Sequence, residues 1–409
     1  MTGRYGLLGK TLSHSLSPRI HQYFGDYSYE LIEKTEDELT AFFQDPPVQG
    51  MNVTIPYKKT VIPFCTELDE TAQRLGSVNT IRFDGKTVRG YNTDYFGFAY
   101  LLEQADIAVA GKKVVVLGSG GASATVCGVL RDNGARTVVV ISRSGEDNYN
   151  NLERHRDADV VVNTTPVGMY PETAAAPVSL DCFPCCEAVV DVVYNPLRTR
   201  LLLDAGRRGI KTANGLSMLV AQGYRAAEIF LGQPLDKGLI EKATRELEQS
   251  FRNIVLVGMP GCGKSTQAIL LAEALGRQAV DSDAVVEQRA GKPIPQIFAE
   301  QGEAAFRKQE AAVVQELGKR SGLIIATGGG AILTAENRDA LRQNAVVVFL
   351  EKELEDLATD GRPLSRDMAA LQAMYEKRLP LYRKVADVTV AVQHSPQETC
   401  RLIQEALER

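Results

Sequence analysis

The sequence predicts an α/β protein with parallel sheets, and three stretches carry that prediction. Ile254-Val255-Leu256-Val257 reads as a buried strand that runs into Gly258-Met259-Pro260-Gly261-Cys262-Gly263-Lys264-Ser265-Thr266. Ala268, Leu271, Ala272 and Leu275 then recur at helical spacing up to Gly276. Lys112–Leu117 makes a second passage of this kind, into Gly118-Ser119-Gly120-Gly121-Ala122-Ser123 and an apolar helix. Ahead of both, alternating strands and the two-residue turn Asp84-Gly85 mark a separate sheet-bearing lobe. Each glycine loop normally follows the first strand of its own domain, so the chain divides into residues 1–100, 101–250 and 252–409.

Composition narrows the classes. A chain of 409 residues with 44% hydrophobic and 24% charged residues has ample material for two or three cores. A net charge of −5 with scattered Lys and Arg gives no basic patch for nucleic acid. No apolar run approaches a membrane span and Met1–Leu12 lacks a signal pattern, so a cytoplasmic setting is expected. The seven cysteines are dispersed, and Cys182, Cys185 and Cys186 lack a second ligand pair at zinc spacing.

In chain order, Tyr5–Gly9 reads as a strand and Ser17-Pro18 as a helix cap with proline behind it. On spacing alone Ser17 caps and Ser15 turns the chain. Gly50–Ile55 alternates as a strand that Pro56 stops, putting Lys58 at a strand-to-helix corner. Strands around Ser77–Phe83 and Lys86–Gly90 flank the Asp84-Gly85 turn, and Asn92-Thr93-Asp94 opens the next helix. Taken singly, Asp94 is a helix cap and Lys58 a surface lysine. Together, Ser13-His14-Ser15-Leu16-Ser17-Pro18, Asn52-Val53-Thr54-Ile55-Pro56-Tyr57-Lys58, Ser77-Val78-Asn79-Thr80 and Asn92-Thr93-Asp94 resemble the substrate domain of shikimate dehydrogenases. The resemblance implies that Ser15 and Ser17 hold the substrate carboxylate, that Thr54 and Asn79 contact the substrate, and that Lys58 and Asp94 are the catalytic pair.

The second domain carries two of the three glycines of G-x-G-x-x-G, Gly118 and Gly120, with Ser123 in the third place. Thr137–Ile141 ends at Ser142-Arg143-Ser144 with no acidic residue to take ribose hydroxyls, which favours the 2′-phosphate of NADP. Glu146 and Asp147 follow where relatives often carry a further basic residue, so weaker discrimination for NADP is expected. Only fifteen residues lie between Ser144 and Val160, so the adenine side is expected to be trimmed. Asn163–Met169, Asp191–Pro196 and Asn214–Gln222 resemble the same family. They imply a cofactor site of Gly118, Ser119, Gly120, Gly121, Ala122, Arg143, Ser144, Thr165, Met169 and Gly215. Tyr194 would lie near the nicotinamide and Gln222 would reach substrate hydroxyls, whereas alone they read as a core aromatic and a helix-surface amide.

The loop at 258–266 matches G-x-x-x-x-G-K-[ST] at every fixed position. Its glycines let backbone N–H groups face phosphates, Lys264 reaches the terminal phosphates and Ser265 can hold Mg²⁺. Ala279-Val280-Asp281-Ser282-Asp283 ends the next strand with two carboxylates on one side of an extended chain; either could instead be a cap. With Gly302–Arg307, Leu323–Gly330, Arg362-Pro363-Leu364 and Lys377–Tyr382, the series resembles shikimate kinase. That resemblance implies ATP on Gly261, Cys262, Gly263, Lys264, Ser265, Thr266 and Arg362, with Mg²⁺ on Ser265 and Asp281. Asp283 would face the accepting hydroxyl, Gly329 would contact the substrate, and Arg307 and Arg378 would grip its carboxylate. A short lid carrying Ala358-Thr359 and Ser365 would slow ATP turnover.

The expected architecture is therefore an α/β substrate lobe, a Rossmann-like NADP-binding domain and a P-loop kinase domain with a parallel sheet. The expected function is NADPH-dependent reduction of 3-dehydroshikimate followed by phosphorylation of shikimate by ATP and Mg²⁺. Small molecules would be its partners, without nucleic acid or membrane, in a monomer or homodimer. The rivals are a quinate/shikimate dehydrogenase fused to a kinase and a ligand-sensing regulator with degenerate enzyme domains.

Overall fold

A computed structural model describes residues 3–12, 15–357 and 368–408. The chain forms two compact units, Met1–Met169 with Ala175–Leu247, and Tyr170–Ala174 with Glu248–Arg409.

The first unit holds two sheets. Strands β1 (Arg4–Gly9), β2 (Ser28–Glu33), β3 (Gly50–Val53), β4 (Glu67–Leu68), β5 (Thr80–Asp84) and β6 (Thr87–Tyr91) form one sheet in the order β2-β1-β3-β5-β6-β4. β1 runs parallel to β2 and β3, while β3, β5 and β6 alternate in direction. Gly85 takes a left-handed φ of 63° in the β5–β6 turn, the conformation a two-residue hairpin needs. Leu8, Met51, Val53, Val78 and Ile81 bury one sheet face.

The second sheet is wholly parallel. Strands β7 (Lys113–Leu117), β8 (Thr137–Ile141), β9 (Val160–Asn163), β10 (Ala188–Asp191) and β11 (Lys211–Asn214) take the order β11-β10-β9-β7-β8. This is a doubly wound order whose direction reverses between β7 and β9, where such sheets open a crevice. Between β8 and β9 the chain makes the isolated bridge Ser142–Asn148 and a short 3₁₀ turn, Leu152–His155, in place of an α-helix. Helices Thr93–Gln104 and Leu216–Leu231 pack at Gly97, where a Cβ would stand 2.5 Å from the Met218 carbonyl oxygen. That close approach brings Asp94 and Gln222, one on each helix, to the same region.

The second unit is a parallel sheet of β12 (Asn253–Val257), β13 (Gln278–Asp281), β14 (Leu323–Ala326), β15 (Ala345–Glu351) and β16 (Val388–Ala391), ordered β13-β14-β12-β15-β16. Helix Lys264–Leu275 follows β12 and ends at Gly276 with φ 62°.

Three local expectations are corrected. Ser17 is not a cap: the helix Ser17–His21 has Leu16 at its cap position without a side-chain bond, because Leu16 is already helical. Lys58 stands at a strand-to-turn corner, since Pro56, Pro63 and the β-branched Thr60-Val61-Ile62 disfavour a helix and only a short 3₁₀ turn, Ile62–Phe64, forms. Asp281 and Asp283 do not share a strand face: β13 stops at Asp281, which caps helix Ser282–Ala290 by accepting from the Asp283 N–H at 2.9 Å. Helix Gly238–Phe251 runs on to one residue short of β12, because Glu248-Gln249-Ser250-Phe251 contains no breaker.

Candidate active sites

In the first unit, Lys58 Nζ donates to Asp94 Oδ2 at 2.6 Å, with both side chains mostly buried at 20% and 11% exposure. Asp94 is free for this because Asn92 performs the capping, its side chain accepting from the Tyr95 N–H at 3.1 Å. Asn79 braces the same helix start. Its Oδ1 accepts from the Thr93 N–H at 2.6 Å, and its Nδ2 donates to Thr93 Oγ1 at 3.0 Å and lies 3.5 Å from Gln222 Oε1. Gln222 is buried, so it is not the surface amide that spacing alone allowed. Ser15 Oγ donates to Ser17 Oγ and accepts from the Ser17 N–H, both at 3.2 Å, which holds the two hydroxyls together. Thr54 sits at the end of β3 against Gly9, its N–H donating to the Leu8 carbonyl at 2.9 Å.

A buried histidine beneath this surface was not legible in the sequence. His21 stacks on Tyr29 at 4.0 Å, with Nε2 3.0 Å from Asn52 Oδ1 and Nδ1 2.7 Å from Tyr27 Oη. The Asn52 oxygen can only accept, so Nε2 carries the proton. Asn52 Nδ2 continues the chain by donating to Thr80 Oγ1 at 3.0 Å, which lies 3.1 Å from Thr93 Oγ1. Burial pulls the His21 pKa down to about 3. An unfolded histidine protonates below about pH 6.5, so stability present above that pH is lost as pH falls from 6.5 towards 3. We expect the unfolding free energies of the parent and His21→Gln to converge as pH falls over this window in urea titrations. A constant difference between them would contradict the assignment.

At the end of β7, Gly118 takes φ 100° and a Cβ there would lie 2.8 Å from Thr165 Cγ2. Gly120 caps helix Gly121–Asp132, and a Cβ on either Gly120 or Gly121 would meet nothing within 4 Å. Open space at a helix N-terminus fits a dinucleotide pyrophosphate. Ser119 is exposed and Ala122 half-buried beside them. Thr165 Oγ1 donates to Asn163 Oδ1 at 2.7 Å, and Asn163 Nδ2 donates to Asp191 Oδ1 at 3.0 Å. Burial pushes the Asp191 carboxyl up to about 6. Gly215 packs so tightly on the Val192 carbonyl that any Cβ would overlap it. Tyr194 is half-buried just past β10 and Met169 is exposed. Arg143 and Ser144 are exposed beyond β8, while Asp147 accepts from His155 Nε2 at 2.9 Å and is thereby occupied.

In the second unit a cavity of about 620 Å³ gathers the phosphate loop, Asp281, Asp283, Arg307, Gly328–Gly330 and Arg378. Gly261 and Gly263 take φ of 87° and 93°, so the loop's N–H groups turn along one path. Lys264 Nζ donates to the Gly258 and Met259 carbonyls at 3.0 and 2.9 Å, and Cys262 is buried 3.8 Å from it. Thr266 also lines the cavity. Ser265 Oγ donates to Asp281 Oδ2 at 2.6 Å. One hydroxyl and one carboxylate fit Mg²⁺, which takes few protein oxygens beside phosphates and water; no larger cluster of His, Cys, Asp and Glu occurs among the described residues. Burial, then Asp281 and Glu310, push the Asp283 carboxyl up to about 6. Glu310, which sequence reasoning passed over, accepts from Arg307 Nη1 at 2.8 Å and is buried. Its i+3 spacing from Arg307 was the available signal. Arg362, Ala358-Thr359 and Ser365 lie outside the described residues.

Comparison with known proteins identifies both halves. Residues 7–81 match the family model of the shikimate dehydrogenase substrate binding domain, and residues 260–408 match that of shikimate kinase. A shikimate dehydrogenase (NADP(+)) from Clostridium perfringens strain 13 is 39% identical over 269 residues, covering 60% of this chain and 99% of that protein. The chain belongs to the shikimate dehydrogenase family. It joins that dehydrogenase to a shikimate kinase domain. Among solved structures, the chorismate mutase/shikimate 5-dehydrogenase fusion protein from Clostridium acetobutylicum is 34% identical with a TM-score of 0.58, covering 61% of this chain and 98% of that one. Shikimate 5-dehydrogenase from Thermus thermophilus, solved in complex with NADP(H) and shikimate, is 32% identical with a TM-score of 0.55, covering 60% and 99%. This shikimate dehydrogenase–kinase chain has no described helix long and apolar enough to cross a membrane.

Proposed function

We propose that the first unit reduces 3-dehydroshikimate to shikimate with NADPH and that the second phosphorylates shikimate to shikimate 3-phosphate with Mg²⁺ and ATP. The Lys58–Asp94 pair carries the first assignment. When bound, the reduced dinucleotide supplies hydride, and Mg²⁺ with ATP supplies the phosphoryl group. The Lys58 ammonium stabilises and protonates the oxygen of the reduced ketone, while Asp94 holds Lys58 aimed. Ser15 and Ser17 bind the substrate carboxylate, and Thr54, Asn79 and Gln222 take its hydroxyls. Residues 1–100 form the substrate domain, residues 101–250 the NADP domain and residues 252–409 the kinase domain.

Gly118, Ser119, Gly120, Gly121 and Ala122 cradle the pyrophosphate, and Arg143 with Ser144 meets the 2′-phosphate. Thr165, Met169, Tyr194 and Gly215 line the nicotinamide side. In the kinase, residues 261–266 and Arg362 hold ATP, and Ser265 and Asp281 hold Mg²⁺. Asp283 accepts the hydroxyl proton, Gly329 contacts the ring, and Arg307 and Arg378 bind the carboxylate as planar donors. Phosphoryl transfer rests chiefly on positioning and charge neutralisation, which this charge-lined cavity supplies.

The test is a coupled assay of the full chain with 3-dehydroshikimate, NADPH, ATP and Mg²⁺, following NADPH loss and ADP formation separately. Both signals are expected. A folded sample giving neither would overturn the reading in favour of a ligand sensor, and faster NADP⁺ reduction with quinate than with shikimate would reassign the substrate.

A further inference from the structure

The three-glycine turn after β14 is the floor of the kinase cavity, and each of its residues touches a different part of the site. A Cβ on Gly328 would overlap Asp283 Oδ1, and one on Gly330 would overlap the Arg307 guanidinium. On Gly329 it would lie 2.8 Å from Pro260 of the phosphate loop. The turn therefore sets the spacing between the hydroxyl-facing carboxylate, the carboxylate-binding arginine and the nucleotide loop. Two side chains anchor its backbone among the described residues. Ser282 Oγ accepts from the Gly328 N–H at 3.0 Å, and Tyr382 Oη donates to the Gly329 carbonyl at 2.5 Å.

Tyr382 is built for this contact. It is fully buried, its ring stacks on Phe349 at 5.2 Å and 12°, and it stands one helical turn after Arg378. Arg378, four residues earlier on the same helix, is itself buried. A helix places residues i and i+4 on one face, so Tyr382 shares with Arg378 the helix face from which its hydroxyl meets the turn that contacts Asp283 and Arg307. A hydroxyl was not required merely to fill this site, since phenylalanine fills nearly the same volume.

We infer that Tyr382 is a positioning residue for the shikimate site: its hydroxyl fixes Gly329, and with it the flanking glycines, relative to Arg307 and Asp283, and so sets the affinity for the hydroxy acid rather than for the nucleotide. This rests on the kinase reading above. Removing the hydroxyl leaves the half-buried Gly329 carbonyl without that donor, while the P-loop lysine keeps its own partners.

The test is Tyr382→Phe in the full-length protein, assayed for ADP formation with shikimate and ATP varied in turn. NADPH-linked activity of the same molecules reports that the chain is intact. The KM for shikimate is expected to rise about tenfold, the KM for ATP to change less than about twofold, and dehydrogenase turnover to stay at the parent value. Incorporating 4-aminophenylalanine at position 382, which restores a donor, is expected to bring the shikimate KM back towards the parent. An unchanged shikimate KM, or equal rises for both substrates, would overturn the inference. Should Tyr382→Phe lose a folded kinase unit, Phe349→Leu, which loosens the ring but keeps the hydroxyl, replaces it: a rise confined to the shikimate KM supports the inference, and no rise or equal rises overturn it. A parent enzyme that forms no ADP with shikimate would instead refute the kinase reading itself.

Discussion

Lys58→Ala is expected to lower NADPH-dependent reduction of 3-dehydroshikimate by about 10³-fold in kcat while shikimate-dependent ADP formation stays at the parent rate. The size follows from the double duty of the ammonium group. It neutralises the negative charge that hydride delivery creates on the oxygen, and it supplies the proton that completes the alcohol. Alanine leaves water to do both from a bulk supply. It also leaves Asp94 without its 2.6 Å partner, so an unneutralised carboxylate would face the developing negative charge. Lys58→Arg keeps the charge but not a compact donor, and only partial recovery is expected. Steady-state kinetics at saturating NADPH check this: a loss below about tenfold would deny Lys58 a part in the chemical step.

Lys264→Ala is expected to reduce ADP formation by at least about 10³-fold without altering NADPH consumption. The buried Lys264 ammonium donates to the Gly258 and Met259 carbonyls, an arrangement that holds the loop's curve and keeps the charge at its centre. Its removal takes away both that brace and the cation nearest the transferring phosphate. The two substitutions together make a double dissociation in one polypeptide, because no sheet is shared between the units: two belong to the first and one to the second. Loss of both activities on either change would show that the units do not act separately. A Lys264→Ala chain that retains shikimate-dependent ADP formation would place the phosphate site elsewhere.

Local sequence determined a great deal. Gly118, Gly258, Gly261 and Gly263 are legible because their positive φ disfavours any side chain, which leaves glycine as a fixed mark. The apolar strands β7 and β12 read as buried because both faces are covered, so no polar alternation appears. The β5–β6 hairpin was written in Asp84-Gly85 for the same local reason.

Partnership across the fold was decided by the tertiary structure. Asp94 looked like a helix cap, and only the nearby Asn92 and the distant Lys58 show what releases it. Asp281 and Asp283 looked equivalent until the strand ended between them and gave one to the helix cap and the other to a buried cluster with Glu310. His21, Glu310 and Tyr382 owe their environments to residues far along the chain: Asn52 and Tyr29, the Asp283 cluster, and the Gly329 carbonyl with Phe349. A sequence pattern records what a residue must be to suit its immediate neighbours. Which buried donor meets which acceptor depends on how whole helices and sheets close on one another, and that was settled in three dimensions.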